Sequence, residues 1–321
     1  MNKKELWVLA PLTVAIVAVS SAAAAFDEIT SVSAFMKASW RLQVTATFQL
    51  IPLSYECYKN WYGVLDMWKA NWRLIALSGL SLSLHFTLWC WSLELTSMAH
   101  SLLFVCTSPL IIVVVYLILC KPIHIKEIIG VIVGFVGLAL TILETTQGGD
   151  ATWYGDLIAI VSAMAVTLYF FIGKAMMKQT ISIWVYLTPV NFQAAIWSYA
   201  LALLINNEDP GRFVQWIYTS DWVWALYLGI VPGIIGHGIL NTLLKHVSVL
   251  IITVFVNFEP VIGTFIGWLA GLQGPPGIFT YIGGVIVVIG NIIVTLAGQN
   301  KESVEDETEN QQIASSEREE V

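Results

Sequence analysis

Long apolar runs, separated by short polar segments, alternate along nearly the whole chain. Each run is about 20 residues long, the length that an α-helix rising 1.5 Å per residue needs to cross roughly 30 Å of hydrocarbon. The pattern therefore predicts an all-α integral membrane protein with ten transmembrane helices. We place the predicted spans at residues 6–25, 34–53, 74–95, 98–119, 128–143, 157–172, 183–205, 223–244, 249–272 and 278–297.

The two halves of the chain repeat the same landmarks. Ser97 precedes Pro109 by twelve positions, and Ser248 precedes Pro260 by twelve positions. Five spans in each half predict two five-helix repeats, and an odd number of crossings places the second repeat in the membrane upside down. This inverted-repeat plan builds a substrate site near the bilayer midplane. The predicted units are a first repeat, a second repeat and a tail, at residues 1–145, 153–298 and 299–321.

Lysine and arginine concentrate in the loops on one side of this ten-helix topology, whereas acidic residues dominate the opposite loops. Because short cytoplasmic loops carry an excess of Lys and Arg, we expect both termini to be cytoplasmic. No retention signal is recognisable at the C-terminus, so the plasma membrane is the default location. The basic residues on the cytoplasmic side are Lys3, Lys4, Lys59, Lys69, Arg73, Lys121, Lys126, Lys174, Lys178 and Lys245.

The composition is typical of a membrane protein. Hydrophobic residues make up 57% of the sequence, charged residues 12%, and the mean hydropathy is +0.75, whereas roughly 25% of a soluble domain is charged. Of the net charge of −7, the segment 301–321 accounts for most, because it holds eight acidic and two basic side chains. We expect this tail to be disordered, and no feature indicates nucleic-acid binding.

The first span has a second interpretation. Lys3 and Lys4 before an apolar run, with small residues at 22–25, also resemble a secretory signal peptide. We favour a retained helix, because the run is longer than a usual signal core and its removal would leave one repeat incomplete.

A proline lies in the middle of the fourth span and of the ninth, at Pro109 and Pro260. Proline removes a backbone hydrogen bond and clashes with the preceding turn, so each should kink its helix. Because both repeats place it at the same depth, we expect the kinks to shape a cavity or to act as hinges. A static bend that improves packing is the alternative at either position.

Glycines in the fifth and tenth spans, including Gly130, Gly134 and Gly290, predict close helix packing.

Ionisable side chains are costly at membrane depth and usually face an interior cavity. Arg41, His85, His237 and Glu259 all lie well inside predicted spans. Glu259 is flanked by apolar neighbours and is a candidate proton carrier or a contact for a cationic substrate group. The alternative is a neutral acid that hydrogen-bonds a neighbouring helix. Arg41 is a candidate partner for an acid or for an anionic substrate group, with interhelical anchoring as its alternative.

Two pairs of side chains, each one turn apart, share a helix face. His237 and Asn241 form one pair, and His85 and Trp89 form the other, so each pair can point inward together. A membrane histidine that only bridges helices is the alternative for both. The predicted substrate-binding residues are therefore Arg41, His85, Trp89, His237, Asn241 and Glu259.

Motifs of enzymes, cofactors and metal centres do not occur in the sequence. The four cysteines have neither disulfide-scaffold nor zinc spacing. A glycine-rich phosphate loop, a nucleophile elbow and an HExxH motif are all missing. We therefore expect a protein that is not an enzyme and that needs no cofactor and no metal.

Short motifs, in the order of the spans, carry a family resemblance. They are Ser39-Trp40-Arg41-Leu42, Leu95-Thr96-Ser97-Met98-Ala99, Ser108-Pro109-Leu110, Gly155-Asp156-Leu157-Ile158-Ala159-Ile160, Lys245-His246-Val247-Ser248 and Asn257-Phe258-Glu259-Pro260-Val261. In these motifs the chain resembles the drug/metabolite transporter superfamily, in its EamA-like branch, over about residues 5–298. The resemblance implies a ten-helix inverted-repeat fold and the export or exchange of small solutes. It does not name the solute.

Two features depart from the family pattern. Family members commonly end the fourth and ninth helices with Gly-Glu, whereas this chain has Leu119-Cys120-Lys121 and Leu272-Gln273-Gly274. The resemblance therefore does not extend to a mechanism that relies on those acids. His237 also stands where the family commonly has an aromatic residue, which is compatible with a narrower substrate or with proton linkage.

These patterns together predict a secondary transporter of a small polar or amphipathic metabolite that works by alternating access. Its expected partners are the solute, membrane lipid and, through Glu259 and the histidines, protons. The competing hypothesis is a non-transporting receptor or scaffold whose acidic tail recruits partners. A channel is disfavoured, because no ring of like charges or filter repeat is present. The sequence does not specify an oligomeric state.

Overall fold

The computed structural model describes residues 6–118, 120, 123–145, 151–179, 182–247, 249–272, 274–294 and 296–297. Ser248 of the repeated spacing, the basic residues Lys3, Lys4 and Lys121, and the predicted tail at 299–321 lie outside the described residues. Within the described ranges all regular secondary structure is helical.

The helices follow the apolar runs of the sequence, because a chain in hydrocarbon must satisfy its backbone hydrogen bonds internally. In chain order they are α1 Leu6–Ser20, α2 Ala22–Asp27, α3 Ala34–Leu95, α4 Met98–Val105, α5 Ser108–Ile118, α6 Ile125–Thr145, α7 Trp153–Met177, α8 Ile183–Asn206, the 3₁₀ helix Pro210–Ile217, α9 Trp222–Leu228, the π-helix Gly229–Gly238 (π1), α10 Ile239–Leu243, α11 Val249–Val256, α12 Glu259–Leu269 and α13 Ile278–Val294.

Six helices of the described residues are long and apolar enough to cross a membrane, or seven if the bent pair α4–α5 counts as one span. The chain is a multi-pass integral membrane protein. The predicted count of ten is not confirmed by this criterion, for three local reasons. The 62-residue helix α3 covers two predicted spans. The ninth predicted span is divided into α11 and α12, and α13 has 17 residues.

Helix α3 is broken at Asn60, whose φ of −152° and ψ of 67° are not helical. Before the break, the Thr188 hydroxyl near the start of α8 donates to the Gln49 carbonyl oxygen at 3.3 Å. Further along α8, the Ala195 carbonyl accepts from the Ser39 hydroxyl at 2.9 Å. Later residues of α3 therefore meet earlier residues of α8, so residues 34–59, the first arm of α3, run antiparallel to α8.

After the break the direction is reversed. The Trp68 indole nitrogen donates to the Val185 carbonyl at 2.8 Å, and the Ser83 and Ser198 hydroxyls are 2.9 Å apart. Residues 61–95, the second arm of α3, thus run parallel to α8. The chain turns back at Asn60, and the two arms form a helical hairpin.

Both mid-span prolines lie at the beginning of a new helix. Pro109 is the second residue of α5 and Pro260 the second residue of α12, each after a short break from the preceding helix. Across the first break, α4 and α5 are bent by 42°. Proline suits the first helical turn because its fixed φ is helical and its missing N–H has no intrahelical role there. The structure therefore has discontinuities at both positions where the sequence predicts kinks.

Glycines bring the backbones of α6 and α13 into direct contact. A Cβ added at Gly130 would lie 2.8 Å from the Gly290 carbonyl oxygen, and one added at Gly137 would lie 2.7 Å from the Gly283 carbonyl oxygen. The pairing of Gly130 with Gly290 and of Gly137 with Gly283 makes the two helices antiparallel. This is the close packing that the glycine pattern predicts.

The first helix lies inside the bundle. Leu12 and Ala15 of α1 are fully buried, and α1 packs against π1, where a Cβ at Gly236 would lie 2.6 Å from a Val19 methyl. On another face of π1, a Cβ at Gly229 would overlap a Val44 methyl of the first arm. Glycines therefore let π1 fit between α1 and α3.

Candidate functional site

A cavity of about 40 Å³ lies at the centre of the bundle. Its walls come from α1, both arms of α3, the α4–α5 break, α7, π1, α10 and the α11–α12 break. Five of the six predicted substrate-binding residues line it, namely Arg41, His85, Trp89, His237 and Glu259. The sixth, Asn241, lines a small adjoining cavity of about 10 Å³ that shares Arg41 and His237 with the first. The structure thus brings residues from distant parts of the sequence to one place.

Arg41 projects from the first arm of α3 and is 2% exposed. Its guanidinium carbon lies 3.9 Å from the centre of the Phe86 ring and 5.7 Å from that of Phe26. Contact with a ring face partly compensates a cation for lost water. Among the residues that the structure describes, no carboxylate oxygen is within 4.0 Å of the guanidinium. The Arg41 guanidinium therefore lies against aromatic rings and forms no direct ion pair among the described residues.

His85 ties the second arm of α3 to α7. Its Nδ1 is 2.9 Å from the Ser162 hydroxyl oxygen and 3.3 Å from the Ser162 carbonyl oxygen, while that hydroxyl donates to the His85 carbonyl at 2.8 Å. A carbonyl oxygen only accepts hydrogen bonds, so the network places the proton on Nδ1 and leaves Nε2 as the acceptor of the neutral ring. His85 both bridges two helices and lines the cavity.

His237 belongs to π1, the widened turn of its span. Pro232 removes one backbone hydrogen bond inside this segment, and π-helical turns recur at functional sites. The His237 ring centre lies 5.2 Å from that of Phe86 and 6.4 Å from that of His85. Its Nδ1 is buried and has no hydrogen-bond partner among the described residues. The ring therefore reaches the cavity with an unused polar atom.

Trp89 and Asn241 differ in whether their hydrogen-bonding groups are already used within the protein. The Trp89 ring lies parallel to His85 at 6.2 Å and edge-on to Phe26 at 5.7 Å. Its buried indole nitrogen finds no acceptor in the part of the chain that the structure describes. Asn241 donates to the His237 carbonyl at 2.8 Å, so its amide is partly used within its own helix.

Glu259 is the first residue of α12, directly after the break that follows Val256. The N-terminus of a helix favours a negative charge, because its N–H groups lack intrahelical acceptors. The residue is 9% exposed, and it lines the central cavity. Within the described ranges no side chain forms an ion pair with its carboxylate. The break thus places at the cavity wall an acid that forms no direct ion pair among the described residues.

Asn291 is a residue of this region that the sequence analysis missed. From α13, its Nδ2 donates to the Cys106 carbonyl in the α4–α5 break and to the Asn257 side-chain oxygen in the α11–α12 break, both at 3.2 Å. The Cys106 thiol also approaches the Val256 carbonyl at 3.5 Å. One amide therefore connects the two helix breaks. The sequence signal that could have identified Asn291 is a polar amide next to Gly290 inside an apolar span.

A third cavity, of about 210 Å³, adjoins the ion pair between Lys37 and Glu94, whose charged atoms are 3.0 Å apart. Phe26 lines this third cavity, and Trp89 lines the central one. Because these two rings are in edge-to-face contact, they form a wall between the cavities.

Asp156, which belongs to the motif at the start of the predicted sixth span, is 2% exposed. It accepts from the Thr96 hydroxyl at 2.7 Å and lies 3.1 Å from His100 Nδ1. The other nitrogen of His100 is 3.0 Å from the Thr280 hydroxyl. This cluster fastens α4, α7 and α13 together away from the central cavity.

Comparison with known proteins finds similarity to transporters. Residues 153–296 match the model of the EamA-like transporter family. A protein of Archaeoglobus fulgidus described as an uncharacterized transporter is 23% identical over 203 residues, which are 63% of this chain and 68% of that protein. A solved crystal structure has the same fold with a TM-score of 0.63 at 19% identity, covering 91% of this chain and 98% of its own. Over residues 153–296, the resemblance to the EamA-like branch that the sequence predicts is confirmed.

Proposed function

We propose that this chain, whose residues 153–296 belong to the EamA-like transporter family, is a secondary transporter that moves a small polar or amphipathic solute by alternating access. That it is a membrane transporter follows from its family and its apolar helices. The finer statement is carried by one observation. A central cavity collects Arg41, His85, His237 and Glu259 from both halves of the chain, and polar groups at membrane depth belong where a solute or water can reach them.

Ten crossings in two inverted repeats are part of this proposal. In it, α1–α2 form the first crossing, the arms of α3 the second and third, α4–α5 the fourth, and α6 the fifth. The second repeat follows the same order with α7, α8, α9–π1–α10, α11–α12 and α13. We number the crossings one to ten in this way.

The pattern of packing supports the repeat. The second crossing pairs with the seventh, and the fifth with the tenth, and both pairs are antiparallel through contacts such as Ser39 with Ala195 and Gly130 with Gly290. The first packs against the eighth and the third against the sixth, which are corresponding pairs under exchange of the repeats. A twofold axis in the membrane plane requires its self-paired helices to run antiparallel, whereas an axis along the membrane normal would make them parallel.

The breaks at Pro109 and Pro260 act as hinges in this mechanism. Both line or adjoin the central cavity, and irregular backbone at membrane depth occurs only where protein or a cavity surrounds it. A change of angle at either break would move one end of its crossing relative to the other, which would open the cavity to one side at a time. Both termini are cytoplasmic in this arrangement, as the charge bias of the loops indicates.

Solute counterflow in proteoliposomes tests the proposal. Vesicles are loaded with a mixture of amino acids, amines, carboxylates and sugar phosphates, and the entry of each labelled solute is followed. We expect at least one solute to exchange faster than through protein-free vesicles. The absence of exchange for every class would overturn the proposal.

Thiol accessibility separates the transporter from the receptor or scaffold. A His85→Cys variant, in a background in which Cys57, Cys90, Cys106 and Cys120 are replaced, should react with water-soluble thiol reagents. The matched control is Phe192→Cys, because Phe192 is 58% exposed on the apolar surface and should remain in lipid. Protection of His85→Cys from reagents on both sides would favour the scaffold.

A further inference from the structure

A groove of about 440 Å³ lies between α12 and α13, outside the central cavity. The two helices form its rims, and α4 supplies Ala99 and Leu103 between them. Phe265 on one rim is 53% exposed and Val285 on the other is 60% exposed, so the groove opens to the surroundings of the bundle. None of its described lining residues is charged. At membrane depth these surroundings are lipid.

The groove is held open by the packing on the far side of each rim. A Cβ at Gly263 of α12 would lie 2.7 Å from a Leu102 methyl of α4, and α13 is held against α6 by its glycines. Within the groove, a Cβ at Gly284 would meet nothing closer than the Leu103 methyl groups at 3.9 Å. An apolar wall without neighbouring atoms loses dispersion contacts. The small residues Ala99 and Gly284 therefore leave a space that an added apolar chain would fill favourably.

The length and the ends of the groove match one leaflet of a bilayer. Trp268 and Tyr281 lie at one end, and Pro260 and Ile289 at the other. The stretch of α12 from Pro260 to Trp268 is about 12 Å long at 1.5 Å per residue, against about 15 Å for half of the hydrocarbon core. Trp and Tyr prefer the level of the lipid headgroups. The groove thus runs from the membrane interface to near the midplane.

We propose that this groove binds one acyl chain of a membrane phospholipid, with the headgroup beside Trp268 and Tyr281 and the chain extending towards Pro260. A flexible chain can follow a narrow apolar groove to its floor. The rings of Phe265, Trp268 and Tyr281 project along the rims and are at least half exposed, so they would hold a rigid helix of a second copy away from the floor. In the topology proposed above, the lipid belongs to the outer leaflet.

The bound chain would lie against the beginning of α12. Pro260 lines the groove, whereas the preceding residue, Glu259, lines the central cavity. The lipid and the cavity are therefore on different sides of the same helix start. A change of angle at the α11–α12 break would change the width of the groove, so the acyl chain supports one position of α12. Binding of the chain does not itself depend on the transport proposal.

Native mass spectrometry of the detergent-solubilised protein tests the site. Delipidated protein is titrated with dioleoylphosphatidylcholine and, in parallel, with dihexanoylphosphatidylcholine, which has the same headgroup but chains too short to follow the whole groove. We expect one dioleoyl lipid to bind per protein at low lipid concentration, at least fivefold more tightly than the short-chain lipid. The long-chain lipid should also raise the melting temperature, because it favours the folded state.

Variants that occupy the groove identify the position of the bound lipid. Gly284→Phe places a ring on its floor, so it should weaken binding of the dioleoyl lipid at least fivefold and reduce the rise in melting temperature. Val285→Trp narrows the groove from its rim and should have the same effect. Val161→Trp is the matched control, because Val161 of α7 is 43% exposed and lines none of the four described cavities. If Gly284→Phe does not fold, the comparison of Val285→Trp with Val161→Trp decides.

Photolabelling locates the chain directly. A phosphatidylcholine with a diazirine in its acyl chain, added at one lipid per protein, should label α12 and α13, and Gly284→Phe should remove this label. Equal binding by the wild type and both groove variants, or equal affinity for long and short chains, would overturn the inference. Crosslinking of Phe265→Cys between two copies in delipidated and lipid-bound protein alike would assign the groove to a dimer interface instead. These results stand whether or not any solute is exchanged, so they do not decide the transport proposal.

Discussion

Replacement of Gly290 by alanine tests the close approach of α6 and α13. A Cβ at Gly290 would lie 2.5 Å from the Gly134 nitrogen and 2.7 Å from both the Gly130 carbonyl oxygen and the Gly134 Cα. Ordinary van der Waals contact of a Cβ begins at 3.4 Å, so the two backbones would have to separate by 0.9 Å. All three obstructing atoms are backbone atoms, so no side chain can rotate away to make room.

Gly284 provides the matched control on the same helix. A Cβ there would meet nothing closer than the Leu103 methyl groups at 3.9 Å. At either position alanine gains up to about 1 kcal/mol in helix propensity over glycine, so this contribution cancels in the comparison. Overpacking typically costs ~1–3 kcal/mol, and a purely backbone obstruction favours the upper part of that range. We expect Gly290→Ala to be about 2–3 kcal/mol less stable than Gly284→Ala.

The free energies are measured by titrating SDS into detergent-solubilised protein and following helical circular dichroism. Solute affinity of any folded Gly290→Ala protein should be unchanged, because the glycine seam lies outside the central cavity. If the two variants unfold at the same SDS fraction, α6 and α13 do not meet at these glycines. The antiparallel pairing of the fifth and tenth crossings, and with it one support of the inverted repeat, would then be refuted.

Three further changes probe the cavity and its breaks. Asn291→Leu removes the amide that connects the two breaks, so it should destabilise the protein by roughly 1–3 kcal/mol. It should also slow solute exchange more than it weakens solute binding. Exchange at the wild-type rate would show that Asn291 does not couple the two breaks. Ser162→Ala frees the His85 ring and should weaken solute binding several-fold, as measured by thermal shift, and unchanged binding would make the hydrogen bond purely structural. An imposed pH gradient should drive solute movement in proteoliposomes, and Glu259→Gln should remove this dependence, whereas a preserved dependence would assign proton coupling to another group.

The sequence predicts the polar centre of this protein better than its backbone. Arg41, His85, His237 and Glu259 could be selected because a charge or imidazole inside an apolar run is conspicuous. The depth of each residue in its run then predicts that they meet. The sequence pattern gives no distances, so it could not show that Arg41 contacts Phe86 rather than an acid. Such pairings depend on side chains that are far apart in sequence.

The hairpin of α3 shows why helix ends were harder to predict. The sequence analysis placed a loop at residues 54–73, yet the structure is helical throughout this range apart from Asn60. Hydropathy reports where hydrocarbon ends, whereas a helix can continue past it if one face stays packed. Met67 is buried and the Trp68 indole donates to α8, so this segment is helical although it is polar on average. A run-length criterion then counts two crossings as one.

The π-helical segment was not predicted for a related reason. Pro232 and the closely spaced glycines at positions 229, 233, 236 and 238 indicate an unstable helix. They do not indicate whether that helix breaks, kinks or widens into a π-helix. The outcome depends on neighbours, since these glycines fit against Val44 and Val19 of other helices. Only the packed bundle decides that the turn widens and that His237 lies beside Phe86.

The irregular parts of the backbone and the functional candidates coincide in space for a physical reason. A regular helix uses its own N–H and C=O groups, so it can face lipid, whereas a broken helix exposes polar backbone that must lie in the interior. The α4–α5 break, π1 and the α11–α12 break all line the same cavity. His237 lies within one discontinuity and Glu259 directly after another. Each break therefore places polar groups towards the cavity and leaves a point where its crossing can bend, so solute binding and a change of helix angle would act on the same residues.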